Sequence, residues 1–114
     1  MTTCLFCQIV QGAIPSKKVY EDEVCLAFED VNPQARVHVL VVPKRHVTSM
    51  ADIQESEVGL LGHLLFTCSL VAREHMIEET GYRVVVNTGS GAGQTVFHLH
   101  VHVLGGRMFH WPPG

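Results

Sequence analysis

Val96-Phe97-His98-Leu99-His100-Val101-His102-Val103-Leu104 decides how this chain of 114 residues is read. Apolar residues alternate with histidines, and a period of two predicts a strand with one face in a core. On that reading Leu99, Val101 and Val103 fill the core. His98, His100 and His102 share the opposite face, each roughly 6–7 Å from the next. One histidine on such a face would be ordinary. Three in register would each need a hydrogen-bond partner if they served packing alone, and apolar residues pack without that demand. The histidine face is therefore read as chemical.

Outward from this strand, Thr88 to Gln94 is a glycine-rich connection and Tyr82 to Asn87 is another strand. Val37 to Val42 is a continuous run rich in β-branched residues, hence a central strand closed by Pro43-Lys44-Arg45. Val19-Tyr20 and Val24 to Phe28 read as strands around the polar turn Glu21-Asp22-Glu23. Asp30 to Ala35 is a loop, because Asn32-Pro33 starts a turn. Asp52 with Glu55 predicts a capping box at the start of one long helix. Val58, Leu61, Leu65, Cys68, Ala72 and Met76 then form its apolar stripe, and Gly81 ends it. Thr3 to Val10, closed by Gly12, reads as a short helix. The expected fold is α+β: an antiparallel sheet of about five strands, one long helix and a short N-terminal helix in a single domain over 1–114. Residues 105–114 carry too much Gly and Pro for regular structure and form an irregular tail.

Hydrophobic residues make up 46% of the chain and charged residues 17%, enough apolar content for a packed core. A formal charge of -3 offers no basic field for a polymeric nucleic acid. No apolar run is long enough to span a bilayer, and the opening Met1-Thr2-Thr3-Cys4 does not resemble a secretory signal. The expected location is the cytoplasm, where the four cysteines stand as reduced thiols or metal ligands rather than disulfides.

Imidazole suits both a metal site and nucleophilic attack. The sequence places no carboxylate cluster beside the three histidines. Instead Gly89-x-Gly91-x-Gly93-Gln94-Thr95 precedes them, and its backbone N–H groups and the Thr95 hydroxyl suit an anion. A phosphate facing an imidazole is the reading these two features favour together. Cys4-x-x-Cys7 has metal-ligand spacing but supplies two ligands where a tetrahedral site needs four. Cys25 and Cys68 read as core residues.

The chain resembles the histidine triad family, and its histidine triad nucleotide-binding (Hint) branch in particular. The likeness runs through Ile14-Pro15, Glu21-Asp22, Leu26-Ala27-Phe28, Asp30-x-Asn32-Pro33-Gln34-Ala35, His38, Val42-Pro43-Lys44 and Asn87-x-Gly89. It continues through Gly93-Gln94-Thr95-Val96-Phe97, the three histidines, Gly105-Gly106-Arg107 and the ending His110-Trp111-Pro112-Pro113-Gly114, which narrows it to the Hint branch. The resemblance implies a homodimer whose sheet continues across two protomers, and hydrolysis of purine nucleoside phosphoramidates of AMP or GMP type. It implies no cofactor for catalysis. It makes His100 the nucleophile, with His98 orienting it through its carbonyl and ring, His102 holding an α-phosphate oxygen, and His38 in the same network. Thr95 stands where the branch usually has serine. Asp30 is matched to the ribose, Asn87, Gly93 and Gln94 to the phosphate, and Ile14, Phe28 and Val31 to the base.

Relatives elsewhere in the superfamily complete a zinc site with the histidine after the Pro-Lys segment and the first histidine of the triad. Here these are His46 and His98, so Cys4, Cys7, His46 and His98 are the matched structural zinc ligands, although the Hint branch usually lacks the cysteine pair. Three other functions stand beside the phosphoramidase reading: a non-catalytic nucleotide-binding adaptor, a dinucleoside polyphosphate hydrolase, and a metal-dependent hydrolase with the triad as ligands. The Trp-Pro-Pro-Gly ending argues against the second of these.

Overall fold

The computed structural model describes residues 3–114; Met1 and Thr2, which open the expected domain, lie outside the described residues. Strands β1 (Lys18–Glu21), β2 (Cys25–Glu29), β3 (Val37–Pro43), β4 (Tyr82–Val85) and β5 (Val101–Gly105) form one sheet in the order β1-β2-β3-β5-β4. Every neighbouring pair is antiparallel. A six-residue helix α1 (Leu5–Val10) and a 17-residue helix α2 (Val58–Glu74) complete the α+β fold. Among the described residues no helix is long and apolar enough to cross a membrane.

The continuous apolar run in β3 is explained by burial on both faces. Val37, Val39 and Val41 pack with Cys25 and Ala27 of β2 and with Leu64, Cys68, Val71 and Ala72 of α2. Leu40 and Val42 face the other way with Leu26 and Phe28, under Phe6 and Ile9 of α1. His38 therefore emerges on the α1 side of the sheet, in the strand with the most complete burial. Cys25 and Cys68 are buried core residues, as expected.

Helix α2 departs from its expected limits and face. The capping box is made by Gln54 and Glu57, with the Gln54 N–H donating to Glu57 Oε1 at 3.1 Å, while Asp52 accepts from the Ser49 hydroxyl instead. The buried stripe runs through Leu64, Thr67, Cys68, Val71 and Ala72, leaving Val58, Leu65, Phe66 and Met76 exposed. The helix is apolar nearly all round, so periodicity could not fix which side faces the sheet. Nor does Gly81 end it. The chain turns at Met76, with φ 60°, where the Ile77 N–H donates to Ala72 O and the Met76 N–H to Arg73 O. This is a Schellman closure. A left-handed methionine costs roughly 1–2 kcal/mol, and complete burial of the Ile77 side chain offsets it.

The last strand is also shorter than its alternation implied. β5 begins at Val101, so His98 and His100 precede the ladder and only His102 lies in it. Alternation nonetheless persists, because Leu99, Val101 and Val103 all enter the helix-side core. What holds residues 98–100 is the Leu99 N–H, which donates to the Val47 carbonyl at 2.6 Å, together with the ring bonds of His98 and His100, none of which a strand pattern encodes.

Candidate active site

His100 is buried, and its Nδ1–H donates to the His98 carbonyl at 2.7 Å. That bond fixes the tautomer and leaves the Nε2 lone pair free. The Phe6 ring meets His100 edge-on at 5.1 Å between centroids and an interplanar angle of 88°. The His102 ring also meets His100, 5.1 Å away between centroids.

The protonation of His102 follows from His38. The Gln34 N–H donates to His38 Nδ1 at 3.0 Å, so the His38 proton is on Nε2. That Nε2 lies 2.9 Å from His102 Nδ1 and 3.4 Å from Asp30 Oδ2. His102 Nδ1 must then accept, which puts the His102 proton on its own Nε2. Burial lowers the pKa of His38, with Asp30 opposing, and pushes that of His102 down to about 4, with His100 and His38 adding to the effect. Near neutral pH His102 is thus an uncharged donor.

The ring of His98 does not orient His100, contrary to half of its expected role. Its Nε2–H donates to the Pro43 carbonyl at 2.8 Å, and its Nδ1 turns toward Cys4 Sγ at 3.3 Å, Cys7 Sγ at 3.5 Å and His46 Nδ1 at 3.2 Å. Only the carbonyl of His98 holds His100. Burial lowers the His98 pKa against the raising effect of the Pro43 bond, which keeps Nδ1 a lone-pair donor.

Phe6, which meets His100 edge-on, is also one wall of a cavity of about 340 Å³ whose lining includes Ile9, Ile14, Phe28, Asp30 and Val31. The three residues matched to a base and the acid matched to a ribose therefore line one space. Asp30 Oδ1 accepts from the Asn32 N–H at 2.9 Å, which holds the carboxylate at the cavity edge. The glycine loop needs Gly89 at φ 85° and Gly93 at φ 97°, conformations that favour glycine. The Gln94 side chain is bonded within the protein: Oε1 accepts from the Gly89 N–H, and Nε2 donates to the Thr48 and Val96 carbonyls. Its side chain closes the loop and has no donor left for a phosphate. Asn87 is half-buried just beyond β4, and Thr95 is exposed at a second cavity with Thr48 and Phe97.

A model of the HIT domain matches residues 11–109. The chain belongs to the HIT family. An uncharacterized HIT-like protein of Synechococcus elongatus is 50% identical over 110 residues, 96% of each chain. A protein of Zea mays called a 14 kDa zinc-binding protein is 47% identical over 112 residues, 96% of this chain and 87% of that one. The crystal structure of a HIT family hydrolase from Legionella pneumophila superposes with a TM-score of 0.96 at 46% identity, over 98% of this chain and 100% of that one. A histidine triad nucleotide-binding protein from Candida albicans gives 0.83 at 31% identity, over 98% and 85%.

In this HIT protein Cys4, Cys7, His46 and His98 offer ligand atoms that all lie within 4.8 Å of one another. The set fits zinc. With bonds of about 2.3 Å to sulfur and 2.0–2.1 Å to nitrogen, the edges of a Cys2His2 tetrahedron run about 3.3–3.8 Å. The separations from His98 Nδ1, and the 3.4 Å between Cys7 Sγ and His46 Nδ1, are close to that range. Two contributors escaped sequence reading. Phe6 touches His98, His100 and Phe28 from a helix whose pattern showed only an apolar face. The Gln34 N–H sets the His38 tautomer from the backbone, which no side-chain pattern signals.

Proposed function

We propose that this protein hydrolyses purine nucleoside 5′-phosphoramidates, AMP or GMP joined to an amine, as a member of the Hint branch. The observation that carries this reading is the His100 tautomer, with Nδ1–H on the His98 carbonyl and the Nε2 lone pair free. That nitrogen attacks the α-phosphorus, and the phosphorus–amine bond breaks with its electron pair leaving on the amine, which takes up a proton. Water then attacks the nucleotidyl-His100, losing a proton and returning the neutral imidazole. The His102 Nε2–H donates to a non-bridging oxygen, where charge accumulates in the transition state. Thr95 and the N–H groups near Gly93 serve the leaving-group and phosphate side, together with Asn87. The nucleotide-binding name of the Candida relative and the hydrolase name of the Legionella one support the class.

The purified protein is expected to release AMP from adenosine 5′-monophosphoramidate. Asp30→Ala should weaken binding by about 1.5–3 kcal/mol through lost bonds from the ribose hydroxyls to a charged acceptor. A raised KM with kcat little changed is the expected pattern; unchanged KM would remove Asp30 from the ribose site.

A second reading concerns the thiol–imidazole set. Its donor chemistry, its spacing and the zinc-binding name of the maize relative support a structural zinc held by Cys4, Cys7, His46 and His98. The ion would be structural because all four positions are taken by protein and none is open to substrate.

We further read the protein as a homodimer. β4 is an edge strand, and Val58, Leu65 and Phe66 are exposed on α2. Trp111, 82% exposed in the irregular tail, is a large anchor that suits a position near the partner's active site. Sedimentation at micromolar concentration should give the dimer mass, and a monomer there would refute the assignment.

A further inference from the structure

Helix α1 belongs to two sites at once. Its N-cap, Cys4, and its third residue, Cys7, supply the two thiols of the proposed zinc set. Leu5, Phe6 and Ile9, from the same six residues, wall the 340 Å³ cavity. A helix this short has no stability of its own. Its place on the sheet depends on what its side chains grip. On the apolar side these are Phe6 and Ile9, packed on Leu26, Phe28, Leu40 and Val42. On the polar side they are Cys4 and Cys7, facing His46 and His98.

His98 also has two duties. Its Nδ1 faces the thiols while its carbonyl holds the His100 proton, and Phe6 stands edge-on to both rings, at 5.9 and 5.1 Å between centroids. The fastening of α1 is thus one residue away from the nucleophile along two routes: through the His98 backbone, and through the Phe6 side chain.

We propose that the Cys4–Cys7–His46–His98 set closes α1 over the nucleoside cavity, so that zinc at that set and nucleotide in the cavity strengthen each other's binding. The inference rests on reading the cavity as a nucleoside site and adds a regulatory link that the reading does not require. Cys4, Cys7 and Phe6 become positioning residues for His100. The ion takes no part in the chemistry. Its effect is to hold one wall of the pocket, and the carbonyl behind the nucleophile, in the geometry described above.

Linkage makes the idea measurable without turnover, because the factor by which zinc tightens AMP must equal the factor by which AMP tightens zinc. The full chain, stripped with a chelator and then titrated with zinc alone, should take up about one equivalent. Calorimetry should then show AMP binding about tenfold tighter to the zinc-loaded form. Chelator competition should show zinc held tighter by the same factor when AMP is present. Phe6→Leu keeps all four zinc ligands, so it should bind zinc normally and lose most of the mutual effect. Cys7→Ser should lose zinc and bind AMP like the stripped form.

Zinc and AMP binding independently, within twofold, would overturn the link while leaving the nucleotide reading intact. AMP binding to neither form would overturn that reading and the link together. Failure to take up zinc, in a protein whose circular dichroism shows it folded, would overturn the link and the zinc reading and leave the nucleotide reading intact.

Discussion

His100→Ala is expected to lower turnover of adenosine 5′-monophosphoramidate by about 10³-fold or more, with AMP affinity changed far less. The asymmetry follows from the geometry. In the proposed mechanism the His100 ring supplies the attacking nitrogen, whereas the nucleotide is held by Ile14, Phe28, Asp30 and Val31 around the cavity and by His102, next to His100. Removing the ring deletes a group needed only for the chemical step. Rapid quench of the wild type should yield protein heavier by one nucleotidyl group, mapped to residue 100, and the variant should yield none. His100→Gly with added free imidazole offers a further check, since a diffusible nucleophile can enter the space left by the ring. Near-normal turnover by His100→Ala would transfer the nucleophile's role to an activated water.

The fold was legible where the pattern had one physical cause. β3 reads as a central strand because both of its faces are buried, and Leu99, Val101 and Val103 read as core because alternation survives even where the ladder has not begun. The phase of α2 was not legible. With leucines at 60, 61, 64 and 65, its hydrophobicity marks two faces, one against the sheet and one uncovered. Its end was hidden for a different reason: a glycine is the usual stop signal, but here buried Ile77 forces Met76 into the turn. In the site, residue identity was visible and the direction of the bonds was not. Gln94 stood in a phosphate-like motif, yet its amide is consumed by Gly89, Thr48 and Val96. His98 was matched both to the orientation of His100 and to a zinc set with Cys4, Cys7 and His46, and its Pro43 bond turns the ring toward the thiols and leaves the carbonyl for His100. Such assignments depend on backbone partners distant in sequence, and a linear pattern carries no record of them.

The chain of donors behind His102 yields the second large effect. Because the Gln34 N–H occupies His38 Nδ1, and the His38 proton is shared between His102 Nδ1 and Asp30, the His102 proton sits on Nε2. In the proposed mechanism this neutral donor meets the developing charge without reorganisation, and losing one such donor typically lowers kcat about 10²–10³-fold. His102→Ala should fall in that range, with little change in KM. His38→Ala should do less harm to kcat, since the donor remains but its tautomer is no longer enforced. The same arrangement makes a statement about acid. Burial depresses the folded pKa of His38 and takes that of His102 to about 4, against about 6.5 in an unfolded chain. Between those values the unfolded state binds more protons, so stability is fully present above about pH 6.5 and falls as the pH drops toward 4. Thermal unfolding from pH 7 to pH 4 should show that fall in the wild type, and His102→Gln, which cannot take up the proton, should show less of it. Equal losses in the two proteins would mean that His102 does not resist protonation, and its description as an uncharged donor would fail with it.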